Sequence, residues 1–134
     1  MKTIQVGNLT LDGKQLFLIA GPCVIEEYER TLMIGREIKK ICEKLGVQYI
    51  FKASYDKANR SSYHSFRGPG IEKGLEILAS IKKELQVPVL SDVHDVTQLK
   101  PAAEVLDMLQ IPAFLCRQTD LVYGAAMTLS LIHI

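Results

Sequence analysis

Four short apolar segments alternate with helical patterns along this chain, and that alternation restricts the folds it can adopt. The apolar segments cover residues 15–20, 47–51, 87–91 and 106–111. Strands that alternate with helices form a parallel sheet with helical crossovers. Uninterrupted apolar strands indicate that both faces of this sheet are covered. An open doubly wound sheet and a (βα)8 barrel both satisfy the pattern.

The remaining elements are predicted from turn signals and from apolar spacing. A short amino-terminal hairpin is expected from Thr3–Val6 and Leu9–Asp12. Helices are predicted over residues 27–45, 71–85 and 96–105, with a last helix from about residue 120. In the first helix, spacing predicts that Ile34, Ile38, Ile41, Cys42 and Leu45 face the core.

Composition and charge exclude several classes of protein. The chain has 134 residues and 48% hydrophobic content, which allows one globular domain at most. Its net charge of +1, with acids and bases interleaved, argues against a nucleic-acid surface. No apolar run approaches the ~20 residues that span a membrane, and the amino terminus lacks a signal peptide's apolar core. We therefore expect a cytoplasmic protein whose three separated cysteines are thiols.

Polar clusters follow the carboxyl end of every predicted strand. They cover residues 23–26, 52–62, 92–95 and 117–120. Both candidate folds place their functional sites at this edge. No Gly-rich nucleotide-binding motif is present, so we favour the barrel. Because a complete barrel needs ~250 residues, the chain would supply the N-terminal half, about four βα units after the hairpin.

The cluster at residues 52–62 has the strongest chemical character. Lys52 ends a buried strand, and a buried ammonium is costly unless an anion meets it. Lys57, Asn59, Arg60 and Ser61 follow within nine residues. This composition predicts a loop that binds a phosphorylated ligand. A solvated loop with a snorkelling lysine fits the spacing equally well.

The other clusters offer further candidates. Cys23 could ligate a soft or borderline metal as a thiolate, or be an inert thiol. Asp92 and His94 lie two residues apart, so they share one side of an extended segment and could act in proton transfer. A satisfied structural histidine is the alternative. Arg67 and Arg117 join Arg60 as candidate phosphate clamps, although single arginines more often form surface ion pairs.

Four motifs in order carry a resemblance to a known family. They are Ile-Ala-Gly-Pro-Cys at 19–23, Lys-Ala-Asn-Arg-Ser-Ser at 57–62, Ser-Asp-Val-His at 91–94 and the segment at 110–120 that ends in Arg-Gln-Thr-Asp. The chain thereby resembles the 3-deoxy-D-manno-octulosonate 8-phosphate synthases. The related heptulosonate-phosphate synthases share the Gly-Pro-Cys turn but not the more specific motifs.

The resemblance implies a (βα)8 TIM barrel, usually a homotetramer, that acts as a transferase. The implied reaction condenses phosphoenolpyruvate with D-arabinose 5-phosphate and water, a step in Kdo and lipopolysaccharide biosynthesis. It assigns Lys52 and Lys57, with Gln110 and the Ala113 backbone, to phosphoenolpyruvate. The other implied substrate and catalytic residues are Asn59, Arg60, Ser61, Asp92, His94, Gln118 and Arg117, the last from a neighbouring subunit.

Cys23 gains a specific meaning from the resemblance. The family has a metal-dependent class with cysteine at this turn and a metal-independent class with asparagine there. The cysteine therefore implies a divalent metal, zinc, iron or manganese, that positions or activates the aldehyde or the water. Its other ligands, a histidine, a glutamate and an aspartate, would lie on later strands that this chain lacks.

The resemblance covers about residues 3–128 and then stops. Residues 129–134 read Leu-Ser-Leu-Ile-His-Ile, where relatives continue with glycine and a lysine-containing strand. We therefore divide a single partial domain into a hairpin (1–13), the first half of a barrel (14–128) and an aberrant tail (129–134). Open sheet edges predict an inactive, poorly soluble polypeptide. A non-catalytic fragment that dimerises, or a heptulosonate-phosphate synthase, is the alternative function.

Overall fold

A computed structural model of the chain describes residues 3–128 and the backbone of residues 131–133. Strands β1 (Ile4–Val6) and β2 (Leu9–Leu11) form an antiparallel hairpin. A separate sheet contains five parallel strands in the order β3 to β7. These are β3 (Phe17–Ala20), β4 (Gln48–Lys52), β5 (Val89–Asp92), β6 (Met108–Gln110) and β7 (Leu131–His133).

Helices connect the strands of this sheet. They are α1 (Tyr28–Leu45), α2 (Ile71–Leu85), α3 (Leu99–Val105) and α4 (Thr119–Met127). Short 3-10 turns at Val96–Gln98 and Ala113–Leu115 follow β5 and β6. The predicted α/β architecture, the N-terminal half of a (βα)8 barrel preceded by a hairpin, is confirmed. Among the described residues, no helix is long and apolar enough to cross a membrane.

One strand was not predicted. The backbone of Leu131–His133 pairs in parallel with Met108–Gln110 and adds β7 beside β6. From the sequence we also predicted that residues 129–134 depart from the family pattern. The side chains of these residues lie outside the described residues. The departure therefore stays a prediction.

The two faces of the sheet carry two separate apolar clusters. Alternate residues of β4, β5 and β6 pack against the helices in the larger cluster. The opposite face presents Ile50, Leu90 and Met108, which pack against Val6 and Leu11 of the hairpin. The hairpin thus closes the amino-terminal side of the barrel interior, and the polar residues occupy the opposite side.

The buried face of α1 differs from the predicted one. Cys42 is buried at 3% exposure, as expected, but Ile41 and Leu45 are 57% and 68% exposed. The reason is Gly35, where an added Cβ would lie 2.6 Å from Leu85 and 3.1 Å from Phe51. Close contact at this glycine turns the helix so that Ile41 and Leu45 face away from the core.

Gly21 provides a test of how tightly β3 and β4 approach each other at the site. A Cβ at Gly21 would lie 2.0 Å from the Lys52 carbonyl oxygen, which belongs to backbone and cannot rotate away. We expect Gly21→Ala to destabilise the fold by ~3 kcal/mol, a fall of ~10 °C in the midpoint of thermal unfolding.

Gly124→Ala is the matched control for this measurement. Its Cβ would meet the ends of two side chains, Leu99 at 2.6 Å and Val96 at 4.0 Å, and no backbone of another element. Since alanine also improves helix propensity by ~1 kcal/mol, this variant should unfold near the unsubstituted midpoint. Equal midpoints for both variants would contradict the close approach at Gly21.

Candidate functional site

Six of the residues singled out from the sequence line one cleft at the carboxyl ends of β4, β5 and β6. This cleft has a volume of about 340 Å³. Its lining residues are Lys57, Ala58, Asn59, Asp92, His94, Gln110, Pro112, Ala113, Phe114 and Leu115. Residues more than 50 positions apart in the chain therefore meet at one edge of the sheet, as the alternating pattern predicted.

The strand register explains why Lys52, Asp92 and Gln110 belong to one layer. Leu90 pairs with Met108, and Asp92 pairs with Gln110. Side chains two positions apart on a strand share a face. Lys52, Asp92 and Gln110 each follow an interior apolar residue by two positions, so they form the next layer toward the cleft.

Lys52 is a half-buried cation in a charged neighbourhood. Burial lowers the pKa of its ammonium group, while the nearby Asp92 carboxylate opposes that shift. Lys57 lowers the same pKa further, and Cys23 raises it. Lys52 therefore interacts electrostatically with groups that follow or end β3, β4 and β5. An anionic ligand bound here would compensate the free-energy cost of burying the Lys52 charge.

Asp92 is the centre of a buried hydrogen-bond network. Its Oδ1 accepts from the Ser54 hydroxyl, and its Oδ2 lies 2.8 Å from His94 Nε2. Asp92 is only 6% exposed, and burial raises the pKa of its carboxyl. The hydrogen bonds from His94 and Ser54 outweigh burial and hold that pKa at about 2. The site therefore contains a fixed carboxylate at neutral pH.

Three residues of this network were not singled out from the sequence. Ser54 holds Asp92, while Tyr55 and Gln98 contact His94. Tyr55 is fully buried, and its hydroxyl donates to Gln98 Oε1 at 2.9 Å. Only the position of Ser54 and Tyr55 in the polar cluster after β4 could have indicated a role.

The loop after β4 is closed by an ion pair that the sequence did not predict. Arg67 Nε and Nη2 donate to the two Asp56 carboxylate oxygens at 2.7 and 2.6 Å. The Lys57 amide also donates to the Arg67 carbonyl at 2.7 Å. Arg67 was a candidate phosphate clamp, but its fork is already occupied by Asp56. Arg60 and Ser61 are exposed on this loop, outside the cleft.

Opening this ion pair should loosen the loop. The pair is partly exposed, so we expect ~1 kcal/mol or less from it, and Arg67→Gln should speed tryptic cleavage at Arg60 by ~3- to 5-fold. The charge-reversed double variant, Asp56→Arg with Arg67→Asp, should bring the cleavage rate back toward the original. If Arg67→Gln left the rate unchanged, the backbone hydrogen bond alone would close the loop.

Arg117 and Gln118 lie in a neighbouring cleft. It has a volume of about 450 Å³, and its lining includes His94, Asp95 and the start of α4. His94 also lines the first cleft and therefore lies between the two. The structure thus does not bring Arg117 and Gln118 into the cleft of Lys57 and Asn59.

Cys23 lies exposed beyond the end of β3, and its carbonyl accepts from the Ser54 amide at 3.4 Å. Within the described residues, no group of three histidine, cysteine or acidic side chains could hold a metal ion. These residues therefore fit a metal only in part, with one thiol in place. Cys42 is buried, Cys116 is half-buried, and all three cysteines are free thiols, as predicted.

Comparison with known proteins gives a consistent result. The profile of the DAHP synthetase I family matches residues 3–134. Proteins named 2-dehydro-3-deoxyphosphooctonate aldolase from Geotalea daltonii, Fusobacterium nucleatum and Trichlorobacter lovleyi are 56%, 54% and 54% identical to this chain. The alignments cover 100%, 98% and 99% of the chain but 50%, 48% and 49% of those relatives. The chain spans about half the length of the curated relatives it matches.

Proposed function

Because the chain belongs to the DAHP synthetase I family, we propose that its complete protein is a cytoplasmic 3-deoxy-D-manno-octulosonate 8-phosphate synthase. It condenses phosphoenolpyruvate with D-arabinose 5-phosphate and water, and it releases inorganic phosphate. The names of the three relatives reported above support this reaction over the heptulosonate-phosphate one. The product would enter lipopolysaccharide core synthesis.

The observation that carries this proposal is the single cleft containing Lys57, Asn59, Asp92, His94 and Gln110. It combines a cation for an anionic substrate with amides for hydroxyl groups. It also contains a carboxylate–imidazole pair suited to proton transfer. A condensation of an anionic enol ester with a phosphorylated sugar requires these three kinds of group.

Lys52 and Lys57 bind phosphoenolpyruvate in this proposal. Two lysines close to one carboxylate leave net positive charge, which favours a ligand with phosphate and carboxylate groups. The lowered pKa of Lys52 supports this role, because a bound anion would compensate the buried charge. Gln110 and the Ala113 backbone complete the contacts to this substrate.

The phosphosugar occupies the side of the cleft toward the β4 loop. Asn59, Arg60 and Ser61 bind it, and Arg117 reaches its phosphate from a neighbouring subunit of a homotetramer. Gln118, next in the chain, adds a further substrate contact. With both substrates oriented, C3 of phosphoenolpyruvate bonds to the aldehyde carbon, and the carbonyl oxygen takes a proton. Water adds at C2, and cleavage of the C2–O bond then releases phosphate.

Asp92 and His94 lie at the aldehyde end of the sugar. Asp92 remains a carboxylate and orients the imidazole through Nε2. His94 in turn moves protons to and from the reacting oxygen atoms. This assignment explains why a charged group is kept at a position that is only 6% exposed.

A comparison of two sugars tests the proposed reaction. The complete protein is assayed for phosphate release from phosphoenolpyruvate with arabinose 5-phosphate or erythrose 4-phosphate. We expect activity with the five-carbon sugar. Preference for erythrose 4-phosphate would instead assign the heptulosonate-phosphate reaction, which the name of the family also covers. The 134-residue chain, assayed alone, separates the enzyme from a non-catalytic fragment.

We further propose that Cys23 provides one ligand of a divalent metal, zinc, iron or manganese, whose remaining ligands lie outside this chain. We expect a chelator to abolish activity of the complete protein, and Cys23→Ala to reduce its metal content strongly. Cys116→Ala is the matched control, since Cys116 is a half-buried thiol outside both clefts. Full activity in the metal-free protein would disprove this proposal.

A further inference from the structure

We propose that Gln98 and Tyr55 are positioning residues that hold the imidazole of His94 in the one orientation in which its contact with Asp92 fixes its tautomer. The inference deepens the proposed function and rests on it for its kinetic consequence. Neither residue lines the cleft around Lys57 and Asn59. Both would therefore act on the reaction through His94.

Gln98 fixes the backbone from which His94 projects. Its Oε1 accepts from the His94 amide at 2.8 Å and from the Tyr55 hydroxyl at 2.9 Å. The 3-10 turn that presents Gln98 is itself capped by Asp95, which accepts from the Thr97 amide at 2.8 Å. One amide oxygen thus ties the segment after β5 to the segment after β4.

Tyr55 fixes the ring of His94 from the side. The two ring centroids are 6.2 Å apart and nearly perpendicular, at 85°. Tyr55 packs closely against α2 at Gly74. A Cβ added at Gly74 would lie 2.2 Å from the Tyr55 Cβ, so Tyr55 has little room to move. Burial and the nearby Asp92 and Asp56 carboxylates raise the pKa of the Tyr55 hydroxyl. The hydroxyl therefore stays protonated and can only donate to Gln98.

Asp92 determines which ring nitrogen of His94 carries the proton. The Asp92 carboxylate can only accept, so His94 Nε2, at 2.8 Å, must be a donor. In neutral imidazole this leaves the lone pair on Nδ1. Nδ1 is buried and has no hydrogen-bond partner among the described residues. A buried acceptor without a donor is uncommon in proteins and is often associated with function.

These contacts together restrict His94 at its backbone, its ring and its Nε2 atom. A histidine held in this way keeps one ring orientation, so the substrates meet an imidazole that is already positioned. Its side chain is 11% exposed, and Nδ1 itself is buried. Loss of the contacts that Gln98 and Tyr55 make with His94 would therefore lower kcat more than it would weaken substrate binding.

The test follows the tautomer of His94 directly. The complete protein is labelled with ¹⁵N-histidine, and the His94 signals are assigned from their loss in His94→Gln. We expect one tautomer, with the proton on Nε2, and exchange between tautomers in Gln98→Met. The same variant should lower kcat by ~10- to 100-fold while KM for phosphoenolpyruvate stays nearly unchanged. Gln98→Glu keeps an acceptor oxygen and should recover the single tautomer and most of kcat.

Tyr55→Phe is the milder variant, because it removes one hydroxyl and keeps the ring. It should lower kcat less than Gln98→Met does. If Gln98→Met does not fold, the His94 tautomer and kcat are measured in Tyr55→Phe instead. A mixed tautomer in the unsubstituted protein would overturn the inference. So would a Gln98→Met protein that melts earlier but keeps its tautomer and kcat. Because the tautomer is measured without turnover, inactivity toward both sugars would count against the proposed function alone.

Discussion

Replacing Lys52 with methionine is expected to lower kcat/KM for phosphoenolpyruvate by about 100- to 1,000-fold in the complete protein. Lys52 lies at the end of β4, half-buried and close to Asp92 and Lys57. Methionine preserves the length and apolar character of the side chain but removes the charge. The loss would therefore measure the contribution of that ammonium group to binding an anion in a site of limited solvent access.

Two comparisons make the Lys52 result specific. Lys40→Met removes an exposed lysine of α1, paired with Glu37, and should leave kcat/KM unchanged. The pH profile gives a second criterion. Because burial lowers the pKa of Lys52, the alkaline fall of kcat/KM should begin below the usual lysine range and disappear in Lys52→Arg. A Lys52→Met protein with normal kcat/KM would exclude Lys52 from the substrate site.

Replacing Asp92 with asparagine should lower kcat by ~100- to 10,000-fold. The asparagine side chain has nearly the same shape, and its oxygen can still accept from Ser54. Its amide nitrogen, however, cannot accept from His94 Nε2. His94 would have to turn or exchange its tautomer, and the proton-transfer step would lose its aligned acceptor. Ser54→Ala, which leaves the Asp92–His94 contact in place, is the control and should cost much less.

Asp92→Asn should also change how the free energy of unfolding depends on pH in the acid range. The folded-state pKa of Asp92 is about 2, below its ordinary value of 3.8. A lowered carboxyl pKa stabilises the folded state above pH ~4, and that contribution, about 2 kcal/mol, is lost as the pH falls toward 2. The stability difference between the original protein and Asp92→Asn should therefore narrow over this range. A constant difference would mean that Asp92 is not held as a carboxylate.

Local sequence signals predicted the regular elements well. The bounds of α2 agree with the prediction at both ends, and the hairpin forms around Gly7-Asn8 as its turn chemistry indicated. The site edge was predicted for the same reason, since parallel strands must end together. One cleft therefore contains Lys57, Asp92, His94 and Gln110. The distances between these side chains could not be read from their positions in the chain.

The contacts between elements could not be predicted from local patterns. Gln98 and Tyr55 are 43 positions apart, and nothing in either segment specifies their hydrogen bond. The pairing of Arg67 with Asp56 depends on the path of an irregular loop, for which no periodicity exists. The rotation of α1 depends on a glycine contact with Phe51 and Leu85, which are supplied by other elements. Each of these features is a property of tertiary packing.

The packing of the amino-terminal hairpin has a consequence for synthesis on the ribosome. Val6 and Leu11 are among the first apolar side chains made, but Ile50, Leu90 and Met108, which cover them, emerge much later. At ~5–20 residues per second, this delay is on the order of ten seconds. The nascent hairpin therefore presents an uncovered apolar face until β6 leaves the exit tunnel. During that interval Val6 and Leu11 lack the apolar partners that cover them in the folded chain.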